Sequence, residues 1–358
     1  MEKLIYLNTP PFGRAWVGIL WEGLGRLLYT FFYINIIKRA ILRYKNVLRR
    51  IIGTFVLLWA TAIGVQAQYD PSFSHYWAMA PSFNPASVGK QEKVNVAIAY
   101  NMTLTGFENN PRTMYAGADL PFYFAGVYHG VGVQFLNDEI GLFSHRKLAL
   151  QYAVQMKLFG GRLAIGVQPG MLSENFDGSK LDLDVDNDPA FTTSQQTGTA
   201  LDIGVGLYYQ QRSWYVGASV QHLTAPTVDL GETNQIELSQ TYYLTAGCNI
   251  RLRNPFLTIH PTLLARTDIV GYRADVGARL KYTNDKKMMY AGLSYSPTNS
   301  ITVMLGGLFH GISLGYSYEI YTTALSLGNG SHELCVGYQT DLNLFKKGRN
   351  RHQSVRIL

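Results

Sequence analysis

Charge is scarce in this 358-residue chain, at only 15% Asp, Glu, Lys and Arg. A soluble β-sandwich would usually carry more. Mean hydropathy is −0.01, far too polar for a bundle of membrane helices. Cysteine is nearly absent. Cys248 and Cys335 have neither metal-ligand spacing nor a neighbouring histidine pair, so they read as small residues of a wall. Catalytic signatures are missing too. Gly217-Ala-Ser219-Val-Gln221 and Gly292-Leu-Ser294-Tyr-Ser296 each lack the last glycine of a nucleophile elbow, and the eight histidines form no His-x-x-x-His pair. The run Asp182-x-Asp184-x-Asp186-x-Asp188 opens like a calcium loop. It has Asn187 where the turn glycine belongs and Thr193 where the closing glutamate belongs, so it reads as an acidic external loop. No enzyme, cofactor or metal site is expected.

The net charge of +7 is localised. Nine of the 31 basic residues and two of the 24 acidic ones lie in 1–67, leaving 22 of each in 68–358. The basic character therefore belongs to the leader, and gives no support for nucleic-acid binding. Basic residues gather again only in the tail, at Lys346, Lys347, Arg349, Arg351 and Arg356.

Aromatic residues are abundant at 13%, with 24 Tyr, and the 35 glycines exceed the usual ~7%. Neutral hydropathy with many aromatics and few charges fits a wall whose residues face lipid and lumen alternately. Period-2 alternation runs from 93 to about 340, and helical periodicity is hard to find. Val94, Val96, Ile98, Tyr100, Met102 and Leu104 alternate with Asn95, Ala97, Ala99, Asn101, Thr103 and Thr105. Leu148, Leu150, Tyr152, Val154, Met156 and Leu158 repeat the rhythm against Ala149, Gln151, Ala153, Gln155 and Lys157. Strands are expected at 93–105, 112–120, 129–136, 146–158, 161–171, 198–210, 213–223, 240–252, 256–267, 271–283, 287–296, 299–308, 311–320 and 332–342. Gly160-Gly161, Asn284-Asp285 and Pro297-Thr298-Asn299 mark short turns, and 172–197 is the longest connection. The fold class is all-β: a transmembrane antiparallel β-barrel of about fourteen strands, placed in the outer membrane and preceded by a cleaved signal peptide.

The chain divides into four parts. Residues 1–67 are an N-terminal extension and signal peptide: Arg49-Arg50 precede the apolar run Ile51–Gly64, and Val65 and Ala67 are the small residues before cleavage between Ala67 and Gln68. No cysteine follows, so this is not a lipoprotein signal. No methionine lies between Met1 and Met79. Residues 1–46 thus reflect either an over-extended gene start, with a non-Met codon near 42–48, or a genuinely long leader with an anchoring helix. Residues 68–92 mix Pro71, Pro81 and Pro85 with Phe73, Tyr76, Trp77 and Phe83, and read as loop or short helix tucked at one barrel end or inside it. Residues 93–345 form the barrel, and 346–358 are the basic tail.

The segment 68–89 carries a pattern Asp-Pro-x-Phe-Ser-x-Tyr followed by Asn-Pro-Ala-x-x-Gly, supplied by Asp70, Pro71, Phe73, Ser74, Tyr76, Asn84, Pro85, Ala86 and Gly89. It resembles the opening motif of the PorP/SprF family of type IX secretion outer-membrane proteins. Trp214–Leu223, Gly315–Glu319 and Gly330–Leu334 are similar to later stretches of that family, in the same order. Gln221-His222 stands where the family often has a Pro-Asn-like step, and the basic tail is a second departure; either could bear on partner choice. The resemblance implies a non-enzymatic component of the secretion and gliding machinery of Bacteroidota. It also implies partners: the periplasmic ring of the PorK lipoprotein and PorN, or a secreted adhesin that is exported or anchored, besides outer-membrane lipid. The candidate partner-binding residues are the nine of the opening motif, with Ser331, His332 and Glu333 before the last strand. Turn capping and barrel closure would equally explain residues such as Asp70 and Asn84. The alternative function is a passive or substrate-specific channel, because fourteen strands enclose a lumen unless something fills it, and the inward-facing residues are small and polar.

Overall fold

The computed structural model describes residues 70–180, 195–231, 234–285, 287–297, 299–323 and 328–341. The expected signal peptide and its cleavage site at Ala67 and Gln68, the aspartate run 182–188 and the basic tail all lie outside the described residues.

Among the described residues seventeen strands are present: β1 (Lys93–Met102), β2 (Arg112–Phe124), β3 (Val127–Ile140), β4 (Phe143–Leu158), β5 (Gly161–Asp177), β6 (Gln195–Gln210), β7 (Trp214–Gln221), β8 (Thr227–Leu230), β9 (Asn234–Glu237), β10 (Thr241–Cys248), β11 (Ile250–Arg251), β12 (Leu257–Thr267), β13 (Tyr272–Asn284), β14 (Lys287–Ser296), β15 (Ser300–Phe309), β16 (Ile312–Tyr321) and β17 (Ser331–Asp341). The two residues of β11 continue β10 past Asn249, and both pieces pair with β12. The short hairpin β8–β9 stands apart from the main sheet. Fourteen staves remain, every neighbouring pair antiparallel. The sheet closes on itself because β1 pairs with β17 and β10 bridges β7 and β12.

The two-residue period explains why these segments are strands of a barrel that is inside-out relative to a soluble protein. Along β4, Leu148, Leu150, Tyr152 and Met156 are exposed, while Ala149, Gln151, Ala153 and Gln155 are buried. Leu150 is 63% exposed and Gln151 4%. That inversion makes sense only if the outer face meets hydrocarbon. Exposed Tyr123, Phe124, Phe159, Trp214, Phe256, Tyr282, Phe309 and Tyr338 crowd one rim. Tyr100, Phe143, Tyr272 and Tyr295 lie toward the other, so aromatics ring both interfaces.

The two rims differ. At one, the connections span two to five residues; at the other they reach nineteen. The tightest turns, at Ala125-Gly126, Phe159-Gly160 and His310-Gly311, have positive φ at both central residues, the type I′ signature that matches strand twist. The turn expected at Gly160-Gly161 thus sits one residue earlier, because Gly161 already pairs with Leu158. Strands expected at 129–136 and 161–171 are longer than foreseen, running to Ile140 and Asp177. Polar side chains such as Asp138 and Glu174 extend them, because they face inward and find partners there.

A barrel of fourteen staves is too wide for its wall residues to fill. Here the interior is filled by Asp70–Glu92, which holds only two short 3₁₀ turns, Ala80–Ser82 and Pro85–Ser87. Phe73 and Met79 pack on Ala99, Tyr115 and Leu136; Tyr76, Ala80 and Phe83 pack on Tyr243 and Leu264. Ala86 meets Ala164, Tyr208 and Tyr215. At the long-loop end, the β8–β9 hairpin and Leu238 form a further cluster with Leu172 and Ala200 of the wall. Of the two placements expected for this segment, at one barrel end or inside it, the inside one is found, and it explains the small residues that face inward. Several are small because backbone lies against them. A Cβ on Gly166 would overlap the amide of Ala86, one on Gly130 the carbonyl of Val88, and one on Gly206 the side chain of Asn84.

Candidate functional site

An irregular segment inside a barrel must find partners for backbone groups that no strand pairs. The plug, residues 70–92, obtains them from inward-facing polar side chains around the wall. Gln151 donates to the carbonyl of Pro81 (2.6 Å) and Gln155 to those of Val88 and Gly89 (3.2 and 2.9 Å). Ser219 and Gln221 both donate to Phe83 O, at 2.7 and 2.8 Å. Asn101 donates to Ser72 O (3.1 Å), and Arg266 to the carbonyls of Asp70 and Pro71 (2.7 and 3.1 Å). These donors sit on β1, β4, β7 and β12, on different sides of the barrel.

The opening-motif residues are the plug's own anchors. Asp70 accepts from the Tyr243 hydroxyl at 2.6 Å and lies 3.1 Å from Nε2 of His222. Ser74 offers its amide to Glu333 (2.6 Å), and the Tyr76 hydroxyl donates to Thr262 (2.8 Å). Asn84 caps the second 3₁₀ turn: its Oδ1 accepts from Ala86 N at 2.9 Å, while its Nδ2 donates to Leu207 O at 3.0 Å. Pro85 suits the first position of that turn, where no amide hydrogen is needed. Gly89 has φ of +65°, a Cβ there would stand 2.7 Å from Gly130 Cα, and its amide donates to Asp119 (2.8 Å). Phe73, Tyr76, Asn84, Pro85, Ala86 and Gly89 are all buried.

The closing motif meets the opening one. Glu333 is 2% exposed and accepts from the amides of Ser74 and His75 and from Nδ1 of His75 (2.6 Å). These residues are some 258 positions apart in sequence and adjacent at the seam where β17 meets β1. Ser331 is also buried, bonded to Tyr321 and to the amide of Leu104. His332 points the other way. It sits on the outer face beside Tyr316 (2.7 Å) and Tyr318, as the strand period requires.

Around Asp70 an extended polar network takes shape. His222 bridges Asp70 and Asp202, Lys147 pairs with Asp202 at 2.9 Å, and Gln221 accepts from Lys147 and Gln168. Burial by itself disfavours the charged imidazole, but the flanking carboxylates prevail and hold His222 up at about 9. For Asp70, burial would raise the carboxyl; His222, with Lys147 and the Tyr243 hydroxyl, outweighs it and holds the group well below the usual range. Burial raises the Tyr76 phenol and lowers Lys90 to about 8, the latter partly offset by Asp119.

Several of these residues were not singled out by the motif: His75, Asp119, Lys147, Gln151, Asp202, Tyr243 and Arg266. The only local signal was a long polar side chain at an inward position of an otherwise small-residue face, as at Gln151 and Gln155. Gln221 and His222, which depart from the usual family step, prove to hold the plug.

The family model described as type IX secretion system membrane protein PorP/SprF matches residues 65–338. Among solved structures, similar chains include the CymD monoaromatic hydrocarbon channel (12% identity, TM-score 0.46, 78% of this chain and 95% of that one). A Pseudomonas aeruginosa FadL homologue is similar at 10% identity and TM-score 0.42 (72% and 92%). The Pseudomonas putida toluene transporter TodX is similar at 10% and 0.41 (76% and 95%). No curated protein matches the sequence.

Proposed function

Because the chain belongs to the PorP/SprF family of type IX secretion system membrane proteins, and is an outer-membrane β-barrel, we propose that it is a non-enzymatic, plugged component of that apparatus. It binds the periplasmic ring of PorK and PorN, or a secreted adhesin, in support of export or surface anchoring. The observation that carries this reading is the filled lumen. The plug is bonded to the wall on several sides and packed in three apolar clusters, a construction suited to presenting a surface rather than passing solute. Opening-motif residues and Glu333 then serve the partner by holding the plug, whose exit at Lys90–Glu92 lies at the short-turn rim. In barrels of this kind, short turns mark the periplasmic side, which is where a ring partner would dock.

The test is purification from crosslinked outer membranes with partner identification, alongside a deletion strain. Recovery of ring lipoprotein or adhesin, with loss of secreted cargo and unchanged nutrient uptake, is the expected result. A large, steady conductance of the purified barrel in planar bilayers, with no co-purifying partner, would overturn it in favour of a channel.

A further inference from the structure

The charges inside the barrel are unevenly compensated. Toward the long-loop end the buried carboxylates have partners: Asp138 has Thr113, Glu174 has His145, Asp202 has Lys147 and His222, and Glu319 has Arg273. Toward the short-turn end the inward-facing charges on β13 are Arg279 and Lys281, two residues apart on one face. Arg279 is opposite His260 of β12. Lys90 of the plug is within electrostatic reach of both cations. Among the described residues no carboxylate pairs with Arg279, Lys281 or Lys90. The carboxylate that acts electrostatically on the plug lysine, Asp119, is already engaged by Gly89 N and Asn95 Nδ2.

Arg279 is 2% exposed, and its donors are largely unused. Its Nη2 points at Nδ1 of His260 (3.0 Å), and its face lies 3.6 Å from the centre of the Trp77 ring. Among the described residues, Nε and Nη1 have no acceptor. If Nδ1 of His260 accepts from the guanidinium, the imidazole proton is on Nε2, which is likewise buried without a partner. A guanidinium withdrawn from water normally has its donors filled by a carboxylate or phosphate fork. Here the guanidinium donors are in place, Lys281 and Lys90 lie within electrostatic reach (the latter with its ammonium 5.7 Å from the centre of the Tyr208 ring), and the anion is not supplied by the described part of the chain.

We propose that the periplasmic half of the lumen is a binding site for a small oxyanion of the phosphate class, held by Arg279, Lys281 and Lys90 with His260 as a neutral donor. Trp77 fixes the guanidinium plane, so the plug is part of the site as well as the filling of the barrel. Lys281 is three residues from the rim at Asn284 and Lys90 is two from Glu92, which gives the site a short path to the periplasm.

The experiment uses the full barrel purified from outer membranes in detergent, folded by the criterion of heat-modifiable migration. Inorganic phosphate is titrated calorimetrically at constant ionic strength, with chloride as the control. Saturable one-to-one binding is expected, weakened at least tenfold in Lys281→Met and in Arg279→Gln and unchanged in Lys157→Met, an exposed cation near the same rim. Heats no different from chloride, or equal weakening in Lys157→Met, would overturn the site. Should both site variants misfold, the wild-type protein still decides: a rise in its melting temperature with phosphate but not chloride supports the site, and none refutes it. Phosphorus analysis of organic and aqueous extracts of the washed protein then separates a lipid phosphate from a free one, and either source is consistent with the site.

Discussion

Replacing Glu333 with alanine should release the plug without opening the wall. The carboxylate accepts from two backbone amides and one imidazole nitrogen, all in a buried setting. A hydrogen bond to a charged acceptor contributes about 1.5–3 kcal/mol. Three bonds on one group are not additive, so their joint loss is set at about 3–5 kcal/mol, roughly the worth of two of them. Taking the lower end, the released state of residues 72–80 becomes more populated by roughly 10²-fold. The strand itself is indifferent, since position 333 keeps its backbone pairing with Asn101 and Ser317. Hydrogen exchange followed by mass spectrometry on the barrel in nanodiscs reads this directly. Amides of 74–80 should lose about two orders of magnitude of protection in Glu333→Ala, and those of β16 and β17 none. Glu333→Gln should fall between, because its amide end turns a donor toward a donor. A folded Glu333→Ala whose plug is protected like wild type would refute the assignment of this contact as the seam lock. Uniform loss across the barrel would refute its locality.

Other perturbations address the remaining parts. The Asp70–His222 contact should weaken as pH rises: the His222 contribution is complete below about 6.5 and lost through about 9, whereas that of Asp70 is complete above about 3.8 and lost only as pH falls below it. Protection at the plug's start, with exchange taken relative to its base-catalysed intrinsic rate, should therefore fall between pH 6 and 9.5 and be pH-flat in His222→Gln; a flat wild-type protection profile would contradict the contact. Gly166→Ala drives a methyl into the backbone at Ala86 and should destabilise the plug by about 1–3 kcal/mol, seen as lost protection at 84–88, with no effect being the adverse result. Leu150→Arg, on the lipid face of β4, should cost about 2–4 kcal/mol near the bilayer midplane in liposome refolding. A neutral result there would mean that the exposed face of β4 does not meet hydrocarbon.

How much of this was legible beforehand depends on the range of the interaction. The parity of β1 and β4 was readable at Ile98 or Gln151 because each residue answers only to which side of a sheet it is on. The hairpin β8–β9 was not foreseen. Its two four-residue strands are too short to show a period, and they are stable through contacts of Val228 with Leu172 and Leu238. Opening and closing motifs could each be located, but nothing in either indicated that Glu333 would receive the amides of Ser74 and His75. Likewise Gly130, Gly166 and Gly206 looked like generic small wall residues until backbone was found against them.

By itself, then, the sequence determined the barrel: alternation sets which side chains meet lipid, and the count of such segments sets the number of staves. Only the tertiary structure decided that the lumen is filled, which residues hold the filling, and where buried cations find no carboxylate among the described residues. The physical reason is closure. Joining β1 to β17 brings residues from both ends of the chain, and from most of the staves between, into one water-poor space. There a polar group must be paired by whichever distant residue the geometry places beside it.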